Sequence, residues 1–293
     1  MKERLFDKTN GGFRAGLYYV LFLAAFIIIS FLLHAVSTAA FIEGSAGYYL
    51  INCFAAPIAL LTVLFTAKFL FTDKINIFLN GRFFSRTFLA ISVALTFGMF
   101  FGLGFINSAF VDLLKSVGID VKGTNVYMNN AFEYILCVFS LCVVPAVAEE
   151  LFFRGVIISL LKNAGVYVSC LISALFFALF HFSLAQLIYQ FIFGFFLAFM
   201  TIRAGSVLPA VISHFLNNFA VLSFTYFNVF IDFYYAPFIL AGLIFLAMLS
   251  IAFVLFNTEK REKKKGEVFS AFFPFGIIGI IICVVLIISS ILL

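Results

Sequence analysis

Three short stretches carry ionisable and amide side chains inside otherwise apolar sequence. They are Glu149-Glu150-Leu-Phe-Phe-Arg154, Phe177-Ala-Leu-Phe-His181 and His214-Phe-Leu-Asn217-Asn218. A carboxylate shielded from water beside an imidazole can take a proton from a water and drive it onto a carbonyl carbon. A second imidazole with a carboxamide can donate hydrogen bonds to the oxyanion that forms. A carboxylate, two imidazoles and a water can instead hold a zinc ion. No HExxH helix is present, so a zincin-type site is absent. The competing reading is structural, since buried Glu–Arg and His–Asn pairs also lock helices together. Three such stretches converging on one place weigh against that reading.

Composition says what must position these groups. Of the 293 residues, 65% are hydrophobic and 11% charged, against about 25% charged in a soluble domain. The bilayer must be the solvent, and there an ionisable side chain is rare and a functional candidate by default. The net charge of +5 does not point to nucleic acid, because the basic residues sit in short loops where they set orientation. The five cysteines all fall in apolar stretches and form no CxxC pair. Neither a disulfide framework nor a thiolate metal site is expected.

Nine apolar runs can span a bilayer: 17–39, 47–71, 87–110, 129–149, 166–182, 185–202, 206–227, 236–256 and 270–292. The fifth and sixth are short and closely joined, so the expectation is an all-α polytopic membrane protein of about eight to nine transmembrane helices. The first run exceeds a signal-peptide core and reads as a retained transmembrane helix. With the N-terminus cytoplasmic, 16 of the 18 Lys and Arg fall on the inner side, Arg154 among them; only Lys115 and Lys122 fall outside. The tract Glu259–Glu267 reads as a charged inner loop that anchors topology. His34 and Glu133 read as structural or interfacial, and Gly98 with Gly102 as a helix-packing GxxxG.

The fourth run continues without a strong helix breaker to about Lys162. Glu150 and Arg154 stand at i, i+4 and can pair on one face. Glu149 points about 100° away from Glu150 and need not share its role. Asn163-Ala-Gly165 reads as a C-cap and turn. Glu149 lies 16 residues before Gly165 and His181 lies 16 after it, so each sits about 24 Å from the turn, at matching depth. On the seventh run His214 lies about 12 Å along the helix from Ser206. Asn217 and Asn218 share its face. If the turn protrudes into the cytosol, all these groups converge at similar depth.

The three stretches, in this order and inside membrane spans, resemble the CPBP family, also called the ABI or type II CAAX prenyl endopeptidase family. Its pattern is Glu-Glu-x-x-x-Arg, then Phe-x-x-x-His, then His-x-x-x-Asn or Asp. The resemblance covers residues 130–227. It implies three parts: N-terminal spans at 1–128, a CPBP-type helical core at 129–227, and C-terminal spans at 228–293. It also implies an intramembrane endopeptidase acting on a membrane-associated peptide or protein. Glu149 with His181 would activate the water, and His214 with Asn218 would stabilise the oxyanion. Glu150, Arg154 and Phe177 would support them. No cofactor is then required; zinc is the alternative, held by Glu149, His181 and His214. The compact chain looks like a bacterial plasma-membrane protein. Two other functions stay open: a non-catalytic bacteriocin-immunity or scaffold protein and, ranked lower, a proton-coupled transporter, since no repeated halves are visible.

Overall fold

The computed structural model describes residues 11–69, 86–119, 126–161, 163–229, 271–272 and 274–292. Within them the chain is all-α; the one β feature is an isolated bridge between Ser45 and Tyr127. Eight helices follow in order: α1 (Gly11–Ala40), α2 (Ala46–Phe69), α3 (Arg86–Ser116), α4 (Ala131–Leu160), α5 (Val166–Phe180), α6 (Leu187–Ala204), α7 (Leu208–Tyr226) and α8 (Phe275–Leu292). They correspond to eight of the nine apolar runs. The run 236–256 and the tract 259–267 lie outside the described residues. The chain is an integral, multi-pass helical membrane protein, with six of these helices long and apolar enough to cross a bilayer.

Helix α5 is the short one. Its 15 residues extend about 22 Å, less than the roughly 30 Å hydrocarbon core. It begins at Gly165, whose φ of 89° suits a residue without Cβ. It ends at His181, after which Phe182 turns the chain with a φ of 50°. The fifth and sixth runs are therefore two helices joined within 181–186, not one.

Helix α4 is continuous from Ala131 to Leu160, as the absence of breakers predicts, but it is not uniformly α. Two π-helical segments, Val138–Val143 and Leu151–Ile157, flank the α-helical Val144–Glu150. Pro145 stands just after the first of them. With no N–H, it cannot make the usual helical bond to the carbonyl of Leu141. π-bulges of this kind concentrate at functional sites.

The helices are held at the site by aromatic packing. Phe22 of α1 stacks on Phe152 of α4 at 3.9 Å, and Tyr19 of α1 stacks on Phe176 of α5 at 4.0 Å. Phe26 meets Phe180 edge-on at 4.7 Å. Each such pair contributes about 0.5–1.5 kcal/mol beyond its buried area. Among lipid tails, where helix association has little hydrophobic drive, this packing matters more than burial alone. Two hydroxyls add direction: Ser173 donates to the Phe153 carbonyl at 2.9 Å, and Tyr19 to the Phe176 carbonyl at 3.1 Å. Together they fix the spacing of α4 and α5. On the other side α7 is clasped to α3. Ser213 donates to the Ser92 carbonyl at 3.0 Å and Thr96 to the Ser213 carbonyl at 3.2 Å, one residue from His214.

Candidate active site

The short α segment between the two π stretches carries both glutamates, and they face different partners. Glu149 turns toward the end of α5. Its Oε2 lies 3.9 Å from Nε2 of His181, too far for a hydrogen bond. That oxygen is buried and has no hydrogen-bond partner. The hairpin about Gly165 thus brings together a carboxylate and an imidazole 32 residues apart in sequence, as its equal arms require.

The His181 ring is fixed from behind. Its Nδ1 lies 2.8 Å from the carbonyl of Phe177, one turn earlier. A carbonyl only accepts, so Nδ1 carries the proton and Nε2 faces Glu149.

Glu150 turns the other way, into the protein. Its Oε1 accepts from Arg154 Nη1 at 2.8 Å and from His214 Nδ1 at 2.9 Å, with all three side chains buried. The roughly 100° between consecutive helix positions separates the two carboxylates as expected. Charges in such a place persist only with several good partners. Arg154 has them: Nη2 donates to the Gly194 carbonyl at 2.9 Å, and the guanidinium lies over the Phe177 ring, 4.2 Å from its centre. This corrects one expectation. Arg154 was counted among the inner-side charges that set topology, yet it is fully buried and neutralises Glu150.

Phe177 therefore touches three of the groups. Its carbonyl holds His181, its face carries Arg154, and its ring edge meets His214 at 5.6 Å. Gly194 lets α6 come this close. A Cβ there would stand 2.9 Å from Phe177 Cδ1 and 3.1 Å from Arg154 Nη2.

His214 enters from α7 with Nδ1 committed to Glu150, which leaves Nε2 as its free nitrogen. One turn on, the Asn218 amide nitrogen donates to the Leu141 carbonyl at 3.2 Å. The Asn217 amide donates to Asn218 Oδ1 at 3.3 Å, and Asn217 Oδ1 accepts a short hydrogen bond from the Tyr189 hydroxyl of α6. Among the described residues, no three His, Cys, Asp or Glu side chains are grouped to hold a metal ion. In the set Glu149, His181 and His214, the His214 Nδ1 is taken by Glu150.

Three participants were not singled out from sequence: Gly194, Tyr189 and the Leu141 carbonyl beside Pro145. Gly194 had a usable signal, since glycine inside an apolar helix often marks close approach. Tyr189 had none, being one aromatic among many in α6.

The two other polar residues flagged in the spans stand apart from this cluster. His34 Nδ1 lies 3.0 Å from the Tyr48 hydroxyl, and Glu133 sits in the first turn of α4 with its backbone N–H capped by Asn130.

Residues 131–220 match the family model described as type II CAAX prenyl endopeptidase Rce1-like. No curated protein and no solved structure matches the chain. The matched segment contains all three polar stretches, and over it the chain is similar to the type II CAAX prenyl endopeptidases.

Proposed function

We propose that the chain hydrolyses a peptide bond of a membrane-associated substrate through a glutamate-activated water, within a catalytic core spanning 129–227. One observation carries this reading: an unpartnered, buried Glu149 oxygen faces His181 Nε2 across 3.9 Å. That gap is close to what one bridging water needs, with about 2.8 Å to each partner.

In the proposed reaction Glu149 takes a proton from this water, and the hydroxide attacks the substrate carbonyl. His181, anchored by Phe177, orients the water through Nε2. The tetrahedral oxyanion is met by His214 and by the second N–H of Asn218. For His214 to donate from Nε2 while Nδ1 stays on Glu150, both ring nitrogens must be protonated. The Glu150 carboxylate, shared with Arg154, accepts from Nδ1 and orients the ring, as an orienting carboxylate does in a catalytic triad. Collapse of the intermediate breaks the C–N bond, and Glu149 returns its proton to the leaving amine. No step in this reading is routed through a metal; zinc on Glu149, His181 and His214 is the alternative.

The substrate's hydrophobic segment has a place to lie. An apolar groove of about 340 Å³ runs between α2 and α4, lined by Pro57, Leu60, Leu61, Val143, Val147 and Leu151. Ala148, the neighbour of Glu149, is also in its wall. We further propose a cytoplasmic N-terminus, on the charge asymmetry of the loops, and a bacterial plasma-membrane location, on the compact chain. The test is to compare membrane peptides from cells carrying the wild-type protein and Glu149→Gln. Uncleaved precursors should accumulate in the variant; identical peptide sets would defeat the reading.

A further inference from the structure

We propose that Tyr189 and Asn217 are positioning residues that set which face the Asn218 carboxamide turns to the reacting carbonyl, through a relay anchored on the Leu141 backbone. The proposal rests on the endopeptidase reading above. A carboxamide is nearly symmetric in shape but not in function: its nitrogen donates to an oxyanion, and its oxygen repels one. Something must decide between the two orientations.

The decision starts at Pro145. In a regular helix the Leu141 carbonyl would accept from the N–H four residues on, and proline supplies none. The carbonyl is left able to accept from outside its helix, and Asn218 Nδ2 donates to it at 3.2 Å. A carbonyl cannot donate, so the nitrogen of Asn218 must face Leu141 and its oxygen must face Asn217. Asn217 then presents its nitrogen, at 3.3 Å from Asn218 Oδ1, and its own oxygen faces α6. There the Tyr189 hydroxyl must be the donor, as found. Each group in the chain has one consistent orientation, set at the Leu141 end and completed by the Tyr189 hydroxyl as donor. The second N–H of Asn218 is the one left to donate. Asn217 is buried, so losing its donor would leave a buried oxygen unsatisfied, a state that favours rearrangement. Phe193, one turn after Tyr189, meets His214 edge-on at 6.3 Å, so one face of α6 supports both proposed oxyanion donors.

The experiment is a double-mutant cycle on Tyr189→Phe and Asn218→Ala in detergent-solubilised full-length protein. The probe is an internally quenched, prenylated CAAX-type peptide. Asn218→Ala should lower kcat about 10²- to 10³-fold, as loss of one oxyanion donor does. Tyr189→Phe should lower kcat about tenfold with KM within about twofold, and it should add no further loss in the Asn218→Ala background. A wild-type kcat in Tyr189→Phe, or losses that multiply in the double variant, would overturn the proposal. Thermal unfolding of the same four proteins judges the relay without any substrate: coupled shifts in Tm support it, and independent shifts overturn it. If the probe is left intact, or its cleavage is indifferent to Glu149→Gln, the endopeptidase reading falls and the unfolding cycle alone decides the relay.

Discussion

The pairing of Arg154 with Glu150 gives the sharpest quantitative prediction, because a second substitution should partly reverse the cost of the first. Arg154 makes two charge-assisted hydrogen bonds, at 2.8 Å to Glu150 and 2.9 Å to the Gly194 carbonyl, and lies over Phe177. Arg154→Met removes all three contacts and leaves a buried carboxylate whose remaining partner is His214. Breaking a buried pair from one side costs about 3–5 kcal/mol, mostly from the charge left behind. In Glu150→Met/Arg154→Met both charges are gone. What remains is the unsatisfied Nδ1–H of His214 and the Gly194 carbonyl, at about 1–3 kcal/mol. The double variant should therefore be more stable than Arg154→Met alone, by about 1–3 kcal/mol. Thermal unfolding in detergent micelles measures this, with a reversible denaturant series where one can be obtained. Equal destabilisation in the two, or a neutral Arg154→Met, would refute the view that these are mutually dependent buried charges.

Other expectations follow from the same geometry. Glu149→Gln and His181→Ala should each lower kcat by about 10²- to 10⁴-fold; Tm should stay nearly unchanged in Glu149→Gln, whose Oε2 makes no hydrogen bond, and fall in His181→Ala, which gives up the bond to the Phe177 carbonyl; a variant with full activity would remove that residue from the site. Gly194→Ala should destabilise by about 1–3 kcal/mol and slow turnover, since its Cβ would press on Phe177 and Arg154 at 2.9 and 3.1 Å; unfolding and kinetics on one preparation check both. The purified protein should keep its activity after chelation and carry no stoichiometric zinc by elemental analysis; activity lost to a chelator and restored by zinc would reverse the proposed chemistry. Protection against a bacteriocin that survives loss of Glu149, His181 and His214 together would instead favour a non-catalytic immunity role.

Much of this protein is legible in one dimension. Apolar run length against bilayer thickness gives the spans and the fold class, because a membrane admits few alternatives to the helix. The pairing of Glu149 with His181 was also readable, since a tight turn at Gly165 with equal arms fixes which residues lie side by side. So was the divergence of Glu149 and Glu150, which follows from helical rotation alone.

Tertiary structure decided the partners. Sequence offered Glu150 only its neighbour Arg154; the approach of α7 adds His214 to the same oxygen. Arg154 looked like a charge that helps orient the chain, and burial among α4, α5 and α6 makes it a structural counter-ion. Asn218 was read on one helix face with His214 and Asn217, and only the meeting of α4, α6 and α7 joins it to Leu141 and Tyr189. The physical reason is common to all three. Helical period and turn geometry are local and can be read along the chain. Which carbonyl lacks its own N–H, and which distant donor reaches it, depends on how helices separated by dozens of residues pack against one another.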